Sequence, residues 1–189
     1  MDVKEMFKSE IENIHNENWR KAVLELVDKI PEYFWTVPAS SSGKYHPKCD
    51  LGDGGLVRHS LMVTRCGLDL LDAEIFLRKS DINEDKVRIA CLFHDCIKQG
   101  TGENGHTVSN HPVLASDFIR ENLKIDDSAI EDICDAIYSH MGRWNSGKDE
   151  NGNQIFMHKP RTDFELLIHT ADYIASRKYI EGLEEWNNQ

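Results

Sequence analysis

The chain lacks the features of a membrane protein and of a disulfide-stapled secreted domain. No apolar stretch approaches the roughly 18 residues that span a bilayer. The N-terminus, MDVKEMFKSEIENIHNENW, has no continuous apolar block of the kind found in a signal peptide. The five cysteines never form a C-x-x-C pair, which argues against a disulfide framework and a thiolate zinc knuckle. We therefore expect a cytoplasmic protein with reduced thiols and no membrane partner.

The chain is also poor in positive charge. It carries 22 lysine and arginine residues against 33 aspartate and glutamate residues, a formal net charge of −11. An acidic surface repels the phosphate backbone of a long nucleic acid, so binding to extended nucleic acid is disfavoured. The segment SSSGKYH lacks the glycine spacing of a Walker loop. A phosphorylated substrate would therefore need a local cluster of cations or a metal ion.

Helical periodicity dominates what is present. Apolar residues recur at spacings of three and four, as in Ile130, Ile133 and Ile137, and no convincing alternating strand is found. A chain of 189 residues is long enough for one well-buried core. The pattern predicts an all-α fold, a single compact helical bundle of about six or seven helices. The predicted helices are near residues 2–16, 18–30, 54–79, 83–97, 110–123, 127–141 and 161–184.

Two polar loops, 38–55 and 142–160, are longer than connectors in a compact helical domain need to be, and loops of this length are often functional. Between them, the stretch CLFHDCIKQG places His94, Asp95 and Lys98 at the end of an apolar helix. A histidine at a helix end is weak evidence alone, because it can simply interact with the helix dipole.

Four further residues strengthen the pattern. His59 and His140 lie on other predicted helices, and His111 begins one. Asp172 interrupts a strongly apolar helix, LLIHTADYIASR, where a carboxylate is costly unless it faces a cation. Imidazoles and carboxylates on several helices are the donors that a divalent transition metal needs, and the set also fits a two-metal site. These donors suit Mn, Fe, Co, Ni or Zn better than Mg or Ca.

The order His, His-Asp, His, His, Asp resembles the HD-domain superfamily of metal-dependent phosphohydrolases. The similarity extends from about Tyr45 to Ile180, and the lead-in GGLVRHSLMV is similar to the GGLLEHT segment of YhaM-type 3′–5′ exoribonucleases. The resemblance implies a helical bundle with a central metal site. It implies one HD-type domain over residues 1–189, with an HD core at 45–180 and an N-terminal helical extension at 1–37.

The resemblance also implies a role for each donor. A first metal ion is expected to be bound by His59, His94, Asp95 and Asp172. Asp95 is expected to bridge to a second ion, which His111 and His140 hold. One or two divalent ions are therefore expected.

Lys98 matches the lysine of the HD-x-x-K motif and is expected to contact a substrate phosphate or to hold Asp95 in place. The chain departs from the commoner HDIGK at Cys96 and Ile97, where the usual glycine is missing. It also departs from the paired histidine of SHHG, where Met141 stands. Asp95 and Lys98 are the predicted catalytic residues.

Cationic and aromatic side chains near these positions are candidates for substrate binding. They are Lys44, His46, Arg58, Lys98, Arg143, Trp144 and Arg177. Ordinary solvated charge is the alternative for the cations other than Lys98. Trp144 can stack on a base, and packing is its alternative.

The predicted function is a metal-dependent phosphohydrolase that cleaves a phosphate ester or anhydride of a nucleotide or short phosphodiester with a metal-activated hydroxide. The alternatives are a 3′–5′ exonuclease on short nucleic-acid ends and a non-catalytic metal- or nucleotide-binding regulatory module. A di-iron oxygenase is a third, which Lys98 fits less well. The complete set of six donors favours catalysis. The sequence does not indicate an oligomeric state.

Overall fold

The fold is built from seven α-helices in the part of the chain that the computed structural model describes, residues 2–41, 43, 46–101, 105–149 and 151–181. The helices are α1 (Val3–Ile11), α2 (Glu17–Val27), α3 (Gly55–Asp72), α4 (Asp81–Phe93), α5 (His111–Asn122), α6 (Asp127–Ser139) and α7 (Asp163–Ala175). Short 3₁₀ helices lie at Glu32–Trp35, Lys48–Asp50 and Lys178–Glu181. The predicted all-α bundle is confirmed.

Most of the helices end earlier than their periodicity predicts, and α3 and α7 differ most from the prediction. α3 ends at Asp72 rather than near residue 79, because Glu74 adopts a left-handed backbone with a φ of 50°. α7 ends at Ala175, where Ser176 follows as the C-cap. Residues 182–184 of that predicted helix lie outside the described residues.

A small antiparallel hairpin was not predicted. Strand β1 (Ser146–Lys148) pairs with β2 (Gln154–Phe156), with Gly147 opposite Ile155. Strands of three residues are too short for a clear alternation of apolar and polar side chains. Turn chemistry holds the hairpin instead, since the Asp149 carboxylate accepts the backbone N–H groups of Asn151 and Asn153. The prediction that the chain has no strand is wrong for this loop.

Helix α4 is the central element of the bundle. It packs against α3, α6, α7 and α1, and its second half is buried on every side. Phe93, its last residue, is fully buried and makes an edge-to-face contact with Phe7 of α1 at 5.5 Å between ring centroids. Helix α1 therefore packs against Phe93, the residue that precedes His94.

The segment after α4 turns tightly and carries the His94-Asp95 pair. Three successive turn hydrogen bonds follow the helix, and the Tyr33 hydroxyl donates to the Gly100 carbonyl at 3.0 Å. Ile97, at the position of the missing glycine, is buried and is not among the described residues with a positive φ. The departure from HDIGK thus places an apolar side chain in the core without backbone strain.

None of the described helices combines the length and the apolar character needed to cross a membrane.

Candidate metal centre

Five helices bring the six predicted donors together. His59 lies on α3, His111 begins α5, and Asp172 lies on α7. His94 and Asp95 follow α4, and His140 follows α6. The four histidines and Asp95 are all buried, with at most 3% of their surface exposed. The side chain of Asp172 is 19% exposed.

The two carboxylate oxygens of Asp95 face different donors. Its Oδ2 lies 3.3 Å from His94 Nε2 and 3.8 Å from His59 Nε2. Its Oδ1 lies 3.1 Å from His111 Nε2 and 3.7 Å from His140 Nε2. Asp95 therefore stands between two sets of imidazoles.

Asp172 completes the first of these sets. Its Oδ1 lies 3.1 Å from His59 Nε2 and 3.7 Å from His94 Nε2. Several triples of these side chains have donor atoms within 4.8 Å of one another, close enough to hold a metal ion.

Three histidines are held with Nε2 turned toward the centre. The Nδ1 atoms of His94, His111 and His140 lie 2.7, 2.8 and 2.6 Å from backbone carbonyl oxygens three residues earlier. A carbonyl oxygen only accepts, so each Nδ1 carries the proton and donates it, which leaves a bare lone pair on Nε2. That is the tautomer of a metal-ligating imidazole.

Some of these inward-facing atoms have no hydrogen-bond partner within the described part of the chain. They are His94 Nε2, His111 Nε2 and Asp95 Oδ1. Buried acceptors without a donor are costly, and grouping them around one point adds repulsion between lone pairs. A cation removes both costs, so the residues present fit a metal ion.

The charge states also suit a cation. Burial would raise the pKa of Asp95, but the Lys98 ammonium holds it well below its usual range. Burial likewise opposes ionisation of Asp172, yet its hydrogen bond with His59 holds its pKa far below normal. Burial lowers the pKa of His140 to about 3. Near neutral pH these side chains are two carboxylates and a neutral imidazole.

His59 lies between carboxylates on both sides. Its Nε2 faces Asp172, and its Nδ1 lies 3.4 Å from Oδ2 of Asp50. Burial would lower the pKa of His59, but these two carboxylates raise it to about 9. A metal ion at Nε2 would replace a proton there, as expected wherever metal binding and protonation compete.

Sequence reasoning missed Asp50. It is fully buried in the loop before α3, and Gly55 lets that loop pack closely, since a Cβ at Gly55 would overlap the Asp50 carbonyl. Oδ2 of Asp50 also lies 3.7 Å from His46 Nδ1, and burial lowers the pKa of His46 to about 4. A carboxylate in a polar loop carries no sequence signal of burial, so only the fold identifies it.

Residues 56–176 match the HD domain family. This match covers more than half of the chain. The chain belongs to the HD domain family. Proteins of this family bind divalent metals and are generally metal-dependent phosphohydrolases. The match is to the HD domain as a whole, so the likeness to the YhaM-type branch stays a prediction. Searches of the curated proteins and of the solved structures found no match to the chain.

A cavity of about 820 Å³ opens onto the donors of this HD domain. Asp95, His111, His140 and Asp172 form part of its wall. Five of the predicted substrate-binding residues also line it, namely His46, Lys98, Arg143, Trp144 and Arg177. Its volume is in the range of small-molecule pockets.

Lys98 reaches both the cavity and the donors. Its ammonium forms an ion pair with Oδ2 of Asp95, and the side chain is largely buried. A cation beside Asp95 and open to the cavity can contact an anionic ligand while it holds the carboxylate in place.

One predicted substrate-binding residue, Arg58, is not brought into this group. Arg58 is not among the residues that line the cavity, and its guanidinium donates to the carbonyls of Cys49, Leu51 and Asp53. Arg58 thereby braces the loop that carries Asp50. Lys44 lies outside the described residues.

Proposed function

We propose that this HD domain hydrolyses a phosphate ester or anhydride of a nucleotide or of a short phosphodiester. The observation that carries the proposal is the position of Asp95, whose two oxygens face separate sets of buried imidazoles beside a cavity lined by Lys98. Buried donors with no other partner fit a metal centre, and an adjacent cation fits an anionic substrate.

The two oxygens of Asp95, each facing its own pair of imidazoles, support two ions rather than one. His59, His94, Asp172 and Oδ2 of Asp95 would hold the first, and His111, His140 and Oδ1 of Asp95 would hold the second. Divalent ions so placed lower the pKa of a water molecule and offset the charge of a phosphate. Mn, Fe, Co, Ni and Zn suit this mixture of nitrogen and oxygen donors.

The side chains beside the metal centre would have different roles in the reaction. Asp95, paired with Lys98 and facing both sets of imidazoles, would hold and orient the ions and the attacking water. Lys98 is placed to contact an oxygen of the phosphate and to neutralise charge that develops during attack. Arg143 and Arg177 add positive charge to the cavity wall.

The test is to strip the protein of metal and reload it with Mn²⁺, Co²⁺, Ni²⁺ or Zn²⁺. The reloaded protein is then assayed with nucleoside mono-, di- and triphosphates, cyclic dinucleotides and short oligonucleotides. Asp95→Asn should abolish hydrolysis while circular dichroism shows a retained fold. The matched control is Asp69→Asn, on the exposed face of α3, which should keep full activity. Hydrolysis that survives Asp95→Asn, or a folded protein that binds no divalent ion, would contradict the proposal.

Replacing His111 or His140 separately tests the second ion. Each change should lower the metal stoichiometry from two toward one and slow hydrolysis. An unchanged stoichiometry and rate would assign a single ion to the centre.

The same assay separates the alternatives. Release of mononucleotides from oligonucleotides, with little action on free nucleotides, would identify an exonuclease. Tight binding of metal and nucleotide without turnover of any substrate would identify a regulatory binding module.

A further inference from the structure

Four side chains form one wall of the cavity, and we name them the rim cluster: Arg143, Trp144, Tyr173 and Arg177. The rings of Trp144 and Tyr173 are nearly parallel, at 18°, with their centroids 6.2 Å apart. The guanidinium of Arg143 lies 4.3 Å from the centroid of Trp144, and that of Arg177 lies 4.5 Å from the centroid of Tyr173. Each arginine is therefore held against an aromatic ring.

The aromatic pair is incompletely covered. Trp144 is 45% exposed and Tyr173 is 39% exposed, although both border a cavity. Flat rings left half-exposed beside a cavity offer a stacking surface to a ligand with a ring of its own. Sequence reasoning considered Trp144 for this role but missed Tyr173, whose place beside Trp144 depends on the packing of α7.

The two arginines lack acidic partners within the described part of the chain. Arg88 and Arg120, by contrast, both form ion pairs with glutamates. Arg177 donates to the Ser176 hydroxyl, and its buried Nε has no hydrogen-bond partner among the described residues. In a chain with a formal net charge of −11, two guanidiniums without carboxylates at a cavity wall indicate an anionic ligand.

The rim cluster is tied to the candidate metal centre by the chain itself. Tyr173 directly follows Asp172, and Trp144 comes four residues after His140. The backbone N–H of Trp144 donates to the Met141 carbonyl. The ring of His169 lies against Gly142, which is part of the same turn. The stacking surface is thus held in a fixed relation to the donors.

We propose that the rim cluster is a recognition site for a nucleobase and for a phosphate other than the one cleaved. The base stacks on Trp144 and Tyr173, and Arg143 and Arg177 contact the additional phosphate. This assignment rests on the proposed phosphohydrolase function, and it narrows the substrate to a nucleotide with at least two phosphate groups. The additional phosphate belongs either to a nucleoside polyphosphate or to the next unit of a short phosphodiester.

Two probes separate the base from the phosphates. Adenosine 5′-(α,β-methylene)diphosphate carries both, and methylenediphosphonate carries the same P–C–P unit without the nucleoside. Binding of each to the Mn²⁺-loaded protein is measured by calorimetry, which does not depend on turnover. The wild-type protein should bind the nucleotide analogue at least about tenfold more tightly, because base stacking on aromatic side chains has roughly that effect.

The variants assign the effect to the rim cluster. Trp144→Ala and Tyr173→Ala should each weaken binding of the nucleotide analogue about tenfold and leave methylenediphosphonate unchanged. Trp144→Phe keeps an aromatic face and should restore most of the loss. A general disruption of the site would also weaken methylenediphosphonate. Arg143→Gln and Arg177→Gln should weaken both probes. The matched control is Phe156→Ala, an exposed aromatic of the hairpin that does not line the cavity.

The outcomes are distinguishable from failure of the proposed function. Equal binding of the two probes, no effect of Trp144→Ala and Tyr173→Ala, or no binding of the nucleotide analogue would overturn the assignment. Hydrolysis without any dependence on the base would overturn it while the phosphohydrolase function stands. Base-dependent binding without hydrolysis of any substrate would support the rim cluster and refute the hydrolytic function.

Discussion

At the scale of the residue, the candidate centre depends on side chains outside the donor set that contact the donor residues. Asp50 lies against Nδ1 of His59, and His169 lies against the carbonyl of His140 at 2.6 Å. Neither belongs to the predicted donor set. Asp50 limits how the ring of His59 can turn, and His169 fixes the backbone at His140. Partners of this kind strongly affect metal affinity.

The first prediction concerns Asp50. Asp50→Asn removes the charge that orients His59, and metal affinity should fall by about 10- to 100-fold. A competition titration with a chromophoric chelator measures the change. Asp53→Asn, the same substitution at an exposed position three residues later, should leave the affinity unchanged. An unchanged affinity in Asp50→Asn would show that His59 is oriented without this carboxylate.

The second prediction concerns Gly142. Its φ is 58°, and a Cβ there would overlap the ring of His169. Gly142→Ala should destabilise the fold by about 3 kcal/mol, because a left-handed residue other than glycine costs about 1–2 kcal/mol and overpacking costs about 1–3 kcal/mol. Urea unfolding measures the loss.

The control for this substitution is Gly152→Ala. Gly152 also has a positive φ, 82°, but it lies on the open hairpin turn, where a Cβ would meet no described atom within 4 Å. Only the backbone cost of about 1–2 kcal/mol should remain there. Equal losses of unfolding free energy in the two variants would mean that the His169 ring moves aside without destabilising the fold.

Much of the candidate site could be predicted at this scale because histidine and aspartate in one order specify both donor chemistry and family. Asp50 and Tyr173 could not be predicted. An aspartate in a polar loop and a tyrosine on an apolar helix are ordinary residues there, and only tertiary packing brings them to His59 and Trp144. Arg58 shows the converse. Its charge suggested that it binds the substrate, but its guanidinium donates to backbone carbonyls of the neighbouring loop instead.

At the scale of the element, helix α4 connects the N-terminal helices to the centre. Asp85, near the start of α4, accepts the backbone N–H groups of His15 and Asn16 in the turn between α1 and α2. Arg88, one turn later, pairs with Glu10 of α1 and Glu84 of α4. The first two helices are thereby fixed to the helix that delivers His94.

The third prediction is a pH dependence at this junction. The hydrogen bond with Asp85 raises the pKa of His15 above its usual 6.5. His15 therefore stabilises the folded state below about pH 6.5, and this contribution is lost as the pH rises through the folded-state pKa. Because the His15 side chain is 42% exposed, the contribution should stay below about 1 kcal/mol.

The measurement compares wild type with His15→Asn in urea at about pH 5.5 and about pH 8.5. The variant should be less stable than wild type at the lower pH, and the difference should shrink at the higher pH. A difference that does not change with pH would show that the ion pair contributes nothing.

The presence of each helix could be predicted because apolar residues at spacings of three and four mark the buried face of a helix. Helix ends and the hairpin could not. The end of α3 depends on one left-handed residue, Glu74, and the hairpin depends on the Asp149 turn and on docking against Ser109. Turns and side-chain hydrogen bonds of this kind leave no periodic trace in the sequence.

At the scale of the whole molecule, the donors link α3, α4, α5, α6 and α7 around one point. A pair of ions bound there would join α3, α4 and α7 through one set of donors and α4, α5 and α6 through the other. Metal binding should therefore raise the stability of the whole fold and not only the activity.

The fourth prediction is that removal of metal lowers the melting temperature. A ligand at a hundredfold excess over its Kd stabilises the folded state by about 2.7 kcal/mol, which corresponds to roughly 5–10 °C for a chain of this size. A thermal melt before and after chelation measures the shift. Asp69→Asn should show the full shift and Asp95→Asn little of it. Equal melting temperatures with and without metal would rule out a centre that links the helices.

The carbonyl partners of His94, His111 and His140 have a consequence for how this protein is probed. The acceptors are main-chain oxygens of Cys91, Val108 and Ile137, so exchanging those side chains leaves the hydrogen bonds in place. A mutational scan would pass over these three positions. Replacing single amides with esters, which weakens the carbonyl as an acceptor, would reveal them.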